Sequence, residues 1–270
     1  MQTEKTWFVT HAGAGLGLAL ARRLLAEGHR VAAAAEDCDA LIDAVGAPLE
    51  GRFLPLALNL ASQREVRRAA STALAAFGRV DVLVNCGGAG PRGTLEELDD
   101  AQVRRAFDDN VFGMLNVLRV FLPQLRLQGA GHVFNVSSVL GFDGEAAGWG
   151  AHSAGKFAAS GLTEALAAET EGSGIRVTLV YPGALDGEAP ENQAASCVRA
   201  RAGRPSGDVD KAAAILIQAA QAQHAPRHLF LGRDAFDQAR GKIHALQQEL
   251  ARWREMSIAV GRDDLRRLAA

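Results

Sequence analysis

The stretch Trp7-Phe8-Val9-Thr10-His11-Ala12-Gly13-Ala14-Gly15-Leu16-Gly17 decides the fold. Its first four residues form a short apolar run that stops at glycines, the pattern of a buried strand. Leu16 to Glu27 then carries apolar residues at helical spacing and ends at Gly28. A strand that passes through Gly13, Gly15 and Gly17 straight into a helix makes a phosphate cradle. Glycines let the backbone approach a pyrophosphate, and the helix N-terminus offers free N–H groups and the positive end of its dipole. Such glycine spacing is weak by itself; its place between a first strand and a first helix gives it weight.

The same rhythm continues outward. Apolar runs predict strands at Val31 to Ala35, Phe53 to Ala57, Val80 to Val84, His132 to Val136, Ile175 to Tyr181 and His228 to Leu231. Between them the spacing predicts helices: from a cap at Ser62 to Phe77, from Asp99 to Leu122 where Pro123 ends it, and at Ala151 to Glu169, Asp208 to Gln221 and Ala235 to Met256. Strands apolar throughout, alternating with helices, imply a parallel sheet covered on both faces. The reading is an α/β, Rossmann-like, doubly wound sheet of about seven strands, with residues 1–270 as one domain. No internal repeat or long linker divides it. Residues 184–207 break the rhythm with Gly187, Pro190, Gly203, Pro205 and Gly207 and read as a segment covering a substrate pocket. Residues 235–270 read as a C-terminal helix and tail.

Totals exclude several classes. Net charge is −2 with both signs interspersed, and nothing favours nucleic acid; Arg201 and Arg204 read as a solvated loop. No run of about eighteen uncharged apolar residues exists, so no membrane span is expected. The start, Met1 to Thr10, lacks the apolar stretch of a signal peptide. Cys38, Cys86 and Cys197 are too far apart for a disulfide framework or a metal site, so no metal and a reducing, cytoplasmic setting are expected.

Several further motifs follow in order: Asn85-Cys86-Gly87-Gly88, Asp109-Asn110-Val111-Phe112-Gly113, Asn135-Val136-Ser137-Ser138, His152-Ser153-Ala154-Gly155-Lys156 and Pro182-Gly183. With Thr10, Gly15 and Gly17, these resemble the short-chain dehydrogenase/reductase family along nearly the whole chain. The stretch from Leu231-Gly232 through Trp253 and Ser257 also resembles one bacterial subgroup of it. The resemblance implies a nicotinamide dinucleotide held by Thr10, His11, Gly13, Gly15, Leu16, Gly17, Glu36, Asn59, Leu60, Asn85, Gly87, Lys156, Pro182 and Gly183. It implies catalytic roles for Asn110 in a water relay, Ser138 orienting a carbonyl, Lys156 on the ribose, and residue 152 at the family's proton-donating tyrosine. It also implies that the helices at Asp99–Leu122 and Ala151–Glu169 pack on a second subunit, giving a homodimer or homotetramer.

The departures are as informative. The family's first glycine is His11, which demands a backbone angle that histidine tolerates poorly. Its aspartate after the third strand is Asn59, and the threonine after Pro182-Gly183 is Gly187. One extra residue lies between Ser138 and residue 152, where the tyrosine is His152; Tyr181, the single tyrosine, is elsewhere. At the end of the second strand Ala35-Glu36-Asp37 brings acid and no base, which favours NAD(H) slightly over NADP(H).

Lys156 is one of only four lysines among 29 basic residues, yet it stands at the motif position. Imidazolium is a stronger acid than phenol, but the ammonium one turn away disfavours a second positive charge, so His152 is expected neutral. Asp143 and Glu145, between Ser138 and His152, are alternative acid/base carboxylates. Three functions stay open: a carbonyl–alcohol oxidoreductase, a nucleotide- or protein-binding module, and a non-redox lyase or isomerase with His152 as base. Leu140, Phe142 and Trp149 suggest a small-molecule substrate that is partly apolar.

Overall fold

The computed structural model describes residues 4–46, 51–88, 90–186 and 207–260. Four strands and the helices between them form the first half: β1 (Thr6–Val9), α1 (Gly15–Ala26), β2 (Arg30–Ala35), α2 (Cys38–Val45), β3 (Phe53–Ala57), α3 (Gln63–Phe77) and β4 (Val82–Asn85). The second half adds α4 (Asp100–Phe107), α5 (Gly113–Gln128), β5 (Gly131–Val136), α6 (Gly150–Glu169), β6 (Ile175–Pro182), β7 (Leu185–Asp186), β8 (Gly207–Asp208), α7 (Val209–Gln221), β9 (His228–Leu231), α8 (Arg233–Arg252) and α9 (Arg254–Ile258). The main sheet is parallel throughout, in the order β3-β2-β1-β4-β5-β6-β9. The order reverses between β1 and β4, and the crevice at their carboxyl ends is where an open α/β sheet binds ligands.

Alternation along each strand feeds two cores. Trp7, Val9, Val31, Ala33, Val82, Val84, Phe134 and Val180 face α1 and α7. Phe8, Ala32, Leu83, Val133 and Val177 face α3, α5 and α6. Both sides of every central strand are therefore dry, as the unbroken apolar runs require. Pro55 lies on β3, an edge strand, where its missing N–H costs no ladder bond on the outer side.

Three features differ from the sequence expectation. The helix expected over Asp99–Leu122 is two helices joined by a π-helical turn, Asp108–Phe112. Pro123 does not end it; α5 runs on to Gln128, because buried Phe121 and Leu125 on either side hold a helix that lacks one backbone bond. Helix α2 was not expected: it is short, begins at the Asp37 cap and buries only Leu41. The irregular 184–207 segment is pinned at its ends, where β7 and β8 pair in parallel; Gly187, Pro190, Gly203 and Pro205 lie outside the described residues.

Candidate active site

The phosphate turn is built as its glycines demand. A Cβ on Gly17 would run into the His11 carbonyl, so α1 can start this close to β1 only with glycine there. The α1 N-cap, Ala14, supplies no side-chain hydrogen bond, which leaves the first N–H groups for an anion. Gly15 has φ +53, while a Cβ on Gly13 would make ordinary contact with Ala35. Leu16 is buried below the turn.

His11 is the one non-glycine residue with a positive φ, 48°, among the described residues. The left-handed conformation costs an L residue about 1–2 kcal/mol. The ring offsets part of this through Nδ1, 2.9 Å from the Cys86 carbonyl, which Thr10 Oγ1 also meets at 3.2 Å. With Nδ1 donating there, Nε2 is left as an acceptor beside Gly88. Burial, then Lys156, lowers the His11 pKa against the pull of the Cys86 bond and Glu36. Glu36 is exposed at the end of β2, and Asp37 caps α2 through Ala40 N–H at 2.9 Å, a structural duty. Asn59 is exposed, with Oδ1 accepting from Ala61 N–H at 2.9 Å. Leu60 is buried against Gly113, and its carbonyl accepts from Asn116.

Catalytic candidates gather at the ends of β4 and β5. Asn85 Nδ2 donates to Asn135 Oδ1 at 2.8 Å, and Asn135 donates onward to Thr163 Oγ1 at 2.9 Å, which ties both strand ends to α6. Ser137 Oγ donates to the Lys156 carbonyl at 2.9 Å, and Ser160 Oγ lies equally near it. Ser138 is the neighbour left half-buried; its Oγ accepts from Leu140 N–H at 3.2 Å and keeps its own proton to give. Asn110 sits in the π-helical turn, a feature common at functional sites, with Nδ2 donating to the Ala106 carbonyl at 2.9 Å. The Lys156 ammonium and the Asn110 carbonyl oxygen both lie against Gly87, where a Cβ would collide with the lysine. Lys156 is buried, 4% exposed. Its charge acts on His11, His152 and Cys86, although burial still pushes the Cys86 thiol up to about 12.

His152 is also 4% exposed, and neither ring nitrogen has a hydrogen-bond partner among the described residues. Burial first, then Lys156, lowers its pKa to about 3, so the ring is neutral at physiological pH. Two neighbours hold it: Trp149, edge-on at 5.9 Å, and Gly90, where a Cβ would stand 2.6 Å from the histidine Cβ. Nothing in the sequence marks Gly90 or Trp149 as a contact of His152, although Gly87, Gly88 and Gly90 cluster there.

Other expectations are corrected. Asp143 and Glu145 bond to α8: Asp143 accepts from Gln238 at 2.9 Å, and Glu145 pairs with Lys242 at 2.9 Å. They are structural tethers. Leu140 and Trp149 are fully buried with Val139, Ala146, Ala184 and Ala235, and Phe142 packs edge-on against Tyr181 and Phe230; a core, not an open pocket, collects them. Tyr181 is buried and stacked on Phe230 at 4.6 Å. Pro182 ends β6, and Gly183 gives its space to the Asp234 carboxylate, which also accepts from Ala184 N–H at 2.7 Å. The described residues hold no cluster of metal-ligating side chains, and no described helix is long and apolar enough to cross a membrane.

Known proteins share this fold and sequence pattern. The family model described as short chain dehydrogenase matches residues 5–196. An "Oxidoreductase BOA17" of Botryotinia fuckeliana is 30% identical over 94% of this chain and 98% of its own length. A solved short-chain dehydrogenase from Streptomyces avermitilis is 34% identical, with TM-score 0.85 over 96% of this chain and 99% of that one. Another, from Burkholderia cenocepacia in complex with NADP, is 27% identical, with TM-score 0.76 over 93% and 98%.

Proposed function

Because the chain belongs to the short-chain dehydrogenase family, we propose that it is an NAD(P)-dependent oxidoreductase interconverting a carbonyl and an alcohol on a small molecule. One observation carries the reading: Lys156 and Asn110 meet at Gly87 beyond the end of β4, His152 lies one turn before Lys156 on α6, and Ser138 follows β5, in a fold whose α1 N-terminus has no capping side chain. Gly17 and Gly87, where a side chain would collide, leave a cradle that suits a dinucleotide. A complex with NADP is recorded for the Burkholderia cenocepacia relative. Thr10, His11, Gly13, Gly15, Leu16 and Gly17 would hold the pyrophosphate side, Glu36, Asn59 and Leu60 the adenosine, and Asn85, Gly87, Lys156, Pro182 and Gly183 the nicotinamide half. Glu36 at the ribose end favours NAD(H) over NADP(H).

The cofactor supplies or accepts the hydride. Ser138 Oγ donates its free proton to the substrate oxygen and fixes its direction. Neutral His152 offers one N–H and one lone pair: in reduction its N–H passes a proton to the substrate oxygen while its other nitrogen takes one from water along the Asn110 route, and in oxidation both transfers run in reverse. Burial of Lys156 strengthens its field at that oxygen, and Asn110 positions the proton's route to water. Exposed Phe112 and Phe157 favour a homo-oligomer formed across the α4–α6 side, and the three separated cysteines favour a reducing, cytoplasmic setting. A screen of carbonyls with NADH and NADPH tests the proposal. Turnover that Lys156→Met abolishes is the expected result; turnover unchanged in that variant refutes the assignment.

A second reading is a binding module on this scaffold. It rests on the strained His11 and on His152 covered by the Gly90 backbone. His152→Tyr discriminates: a gain of reductase activity means an intact site that lacks only its acid, whereas no gain together with weak cofactor binding favours the module. Product formation without added cofactor would instead reveal lyase or isomerase chemistry with His152 as base.

A further inference from the structure

His11 lies across the crevice where the strand order reverses. Its backbone follows the end of β1, and its ring reaches the residues just past β4. There Nδ1 is 2.9 Å from the Cys86 carbonyl, and a Cβ on Gly88 would stand 3.3 Å from Nε2. A carbonyl only accepts, so Nδ1 carries a proton in either charge state of the ring. Thr10 Oγ1 donates to the same oxygen at 3.2 Å and occupies its other lone pair. Gain or loss of charge therefore takes place at Nε2. That nitrogen has no hydrogen-bond partner among the described residues, and it is not sealed in the interior as the His152 nitrogens are. The position is held at the expense of a left-handed backbone, φ 48°.

We infer, resting on the dinucleotide reading above, that His11 holds the cofactor's diphosphate as an imidazolium and takes up one proton at Nε2 when the cofactor enters. Residues 11–17 form a single turn, so the ring shares it with Gly13, Gly15 and the uncapped N–H groups of α1. A diphosphate seated at those N–H groups brings its negative charge into the same turn. A lone pair on Nε2 repels that charge, whereas an N–H there donates a charge-assisted hydrogen bond. The proton comes from solvent, and the N–H bond is the only bond formed. Glycine at position 11 could offer no such group.

The groups facing the ring pull both ways. Lys156 on α6 disfavours its charge, and Glu36 at the end of β2 favours it. The Cys86 thiol is neutral, pushed by burial up to about 12. Asp109, in the π-helical turn on the other side of Gly88, is raised by burial and then by Asp108. In the free protein burial dominates and lowers the His11 pKa, so the ring is mostly uncharged above about pH 6.5. A bound anion raises it again. Affinity for the cofactor then falls as pH rises, by at most about tenfold per pH unit for one proton.

Calorimetric titration with NADH at about pH 6, 7 and 8, repeated in buffers of different ionisation enthalpy, counts the proton. The diphosphate stays fully ionised over that range and contributes none. Wild type should take up more than half a proton per NADH at about pH 7, and its affinity should weaken at least threefold for each pH unit gained. His11→Asn and His11→Gly both suit a left-handed backbone, so both variants should fold. Each should bind NADH without that uptake and with a flat pH dependence. Wild-type binding without proton uptake, or uptake that persists in both variants, overturns this role of His11 and leaves the cofactor reading standing. No binding of NADH or NADPH to wild type at millimolar concentration overturns the cofactor reading, and the role with it.

Discussion

Two histidines of this chain are equally buried and differently used. His132 lies inside β5, stacked on Phe134 at 3.9 Å, with Nε2 2.9 Å from Thr178 Oγ1. His152 lies at the cleft end of α6, with no partner for either nitrogen among the described residues. Burial holds both pKa values at about 3. The depressed pKa therefore does not mark the site. The marks are the missing partners, the ammonium one turn away and the position at the strand ends, where a ligand can supply the hydrogen bonds that the fold withholds.

The largest expected effect separates Lys156 from this pair. Lys156→Met should lower turnover by roughly three orders of magnitude or more while the protein stays folded, given the proposed roles of the ammonium at the ribose and at the reacting oxygen. Steady-state kinetics on the folded variant check it. Next comes Gly17→Ala. The new methyl meets backbone at His11, which cannot move aside, so cofactor affinity should fall at least tenfold by calorimetry, with catalytic groups untouched.

Leucine at each histidine sharpens the contrast. His132→Leu should cost about 1–2 kcal/mol of stability, from the lost stack and the Thr178 bond, and leave turnover per folded molecule unchanged. His152→Leu should abolish turnover yet leave stability equal or about 1 kcal/mol higher, because it removes two buried polar atoms without partners. Denaturant unfolding of both variants decides; equal stability losses would erase the distinction.

The remaining effect is in pH. An unfolded histidine binds its proton as pH falls through about 6.5, whereas these two in the folded chain bind theirs only near 3. Stability is thus whole above about 6.5 and falls between there and 3, by up to about 1.4 kcal/mol per pH unit for each histidine. Melting temperatures at pH 7.5 and 5 should diverge in wild type and diverge less in either leucine variant.

Much of the fold was legible because a parallel sheet covered on both faces writes each strand as an unbroken apolar run, as in Val31–Ala35 and Ile175–Tyr181. The phosphate turn was legible because only glycine satisfies Gly17, and residue 11 does adopt the positive φ that its position demands. What was not legible depends on tertiary contact. The π-helical turn around Asn110 has no local signature, and Pro123 is tolerated only because Phe121 and Leu125 are buried. Asp143 and Glu145 read as cleft carboxylates until α8, nearly a hundred residues on, brings Gln238 and Lys242 to them. Burial of Leu140 and Trp149 was likewise set by Ala184 and Ala235, which sequence cannot place beside them.

Titration of the purified protein with NADH and NADPH by calorimetry tests the central claim most directly. Micromolar binding of at least one is expected, NADH the tighter, with His11 accommodated in its left-handed turn. No binding of either at millimolar concentration would contradict it.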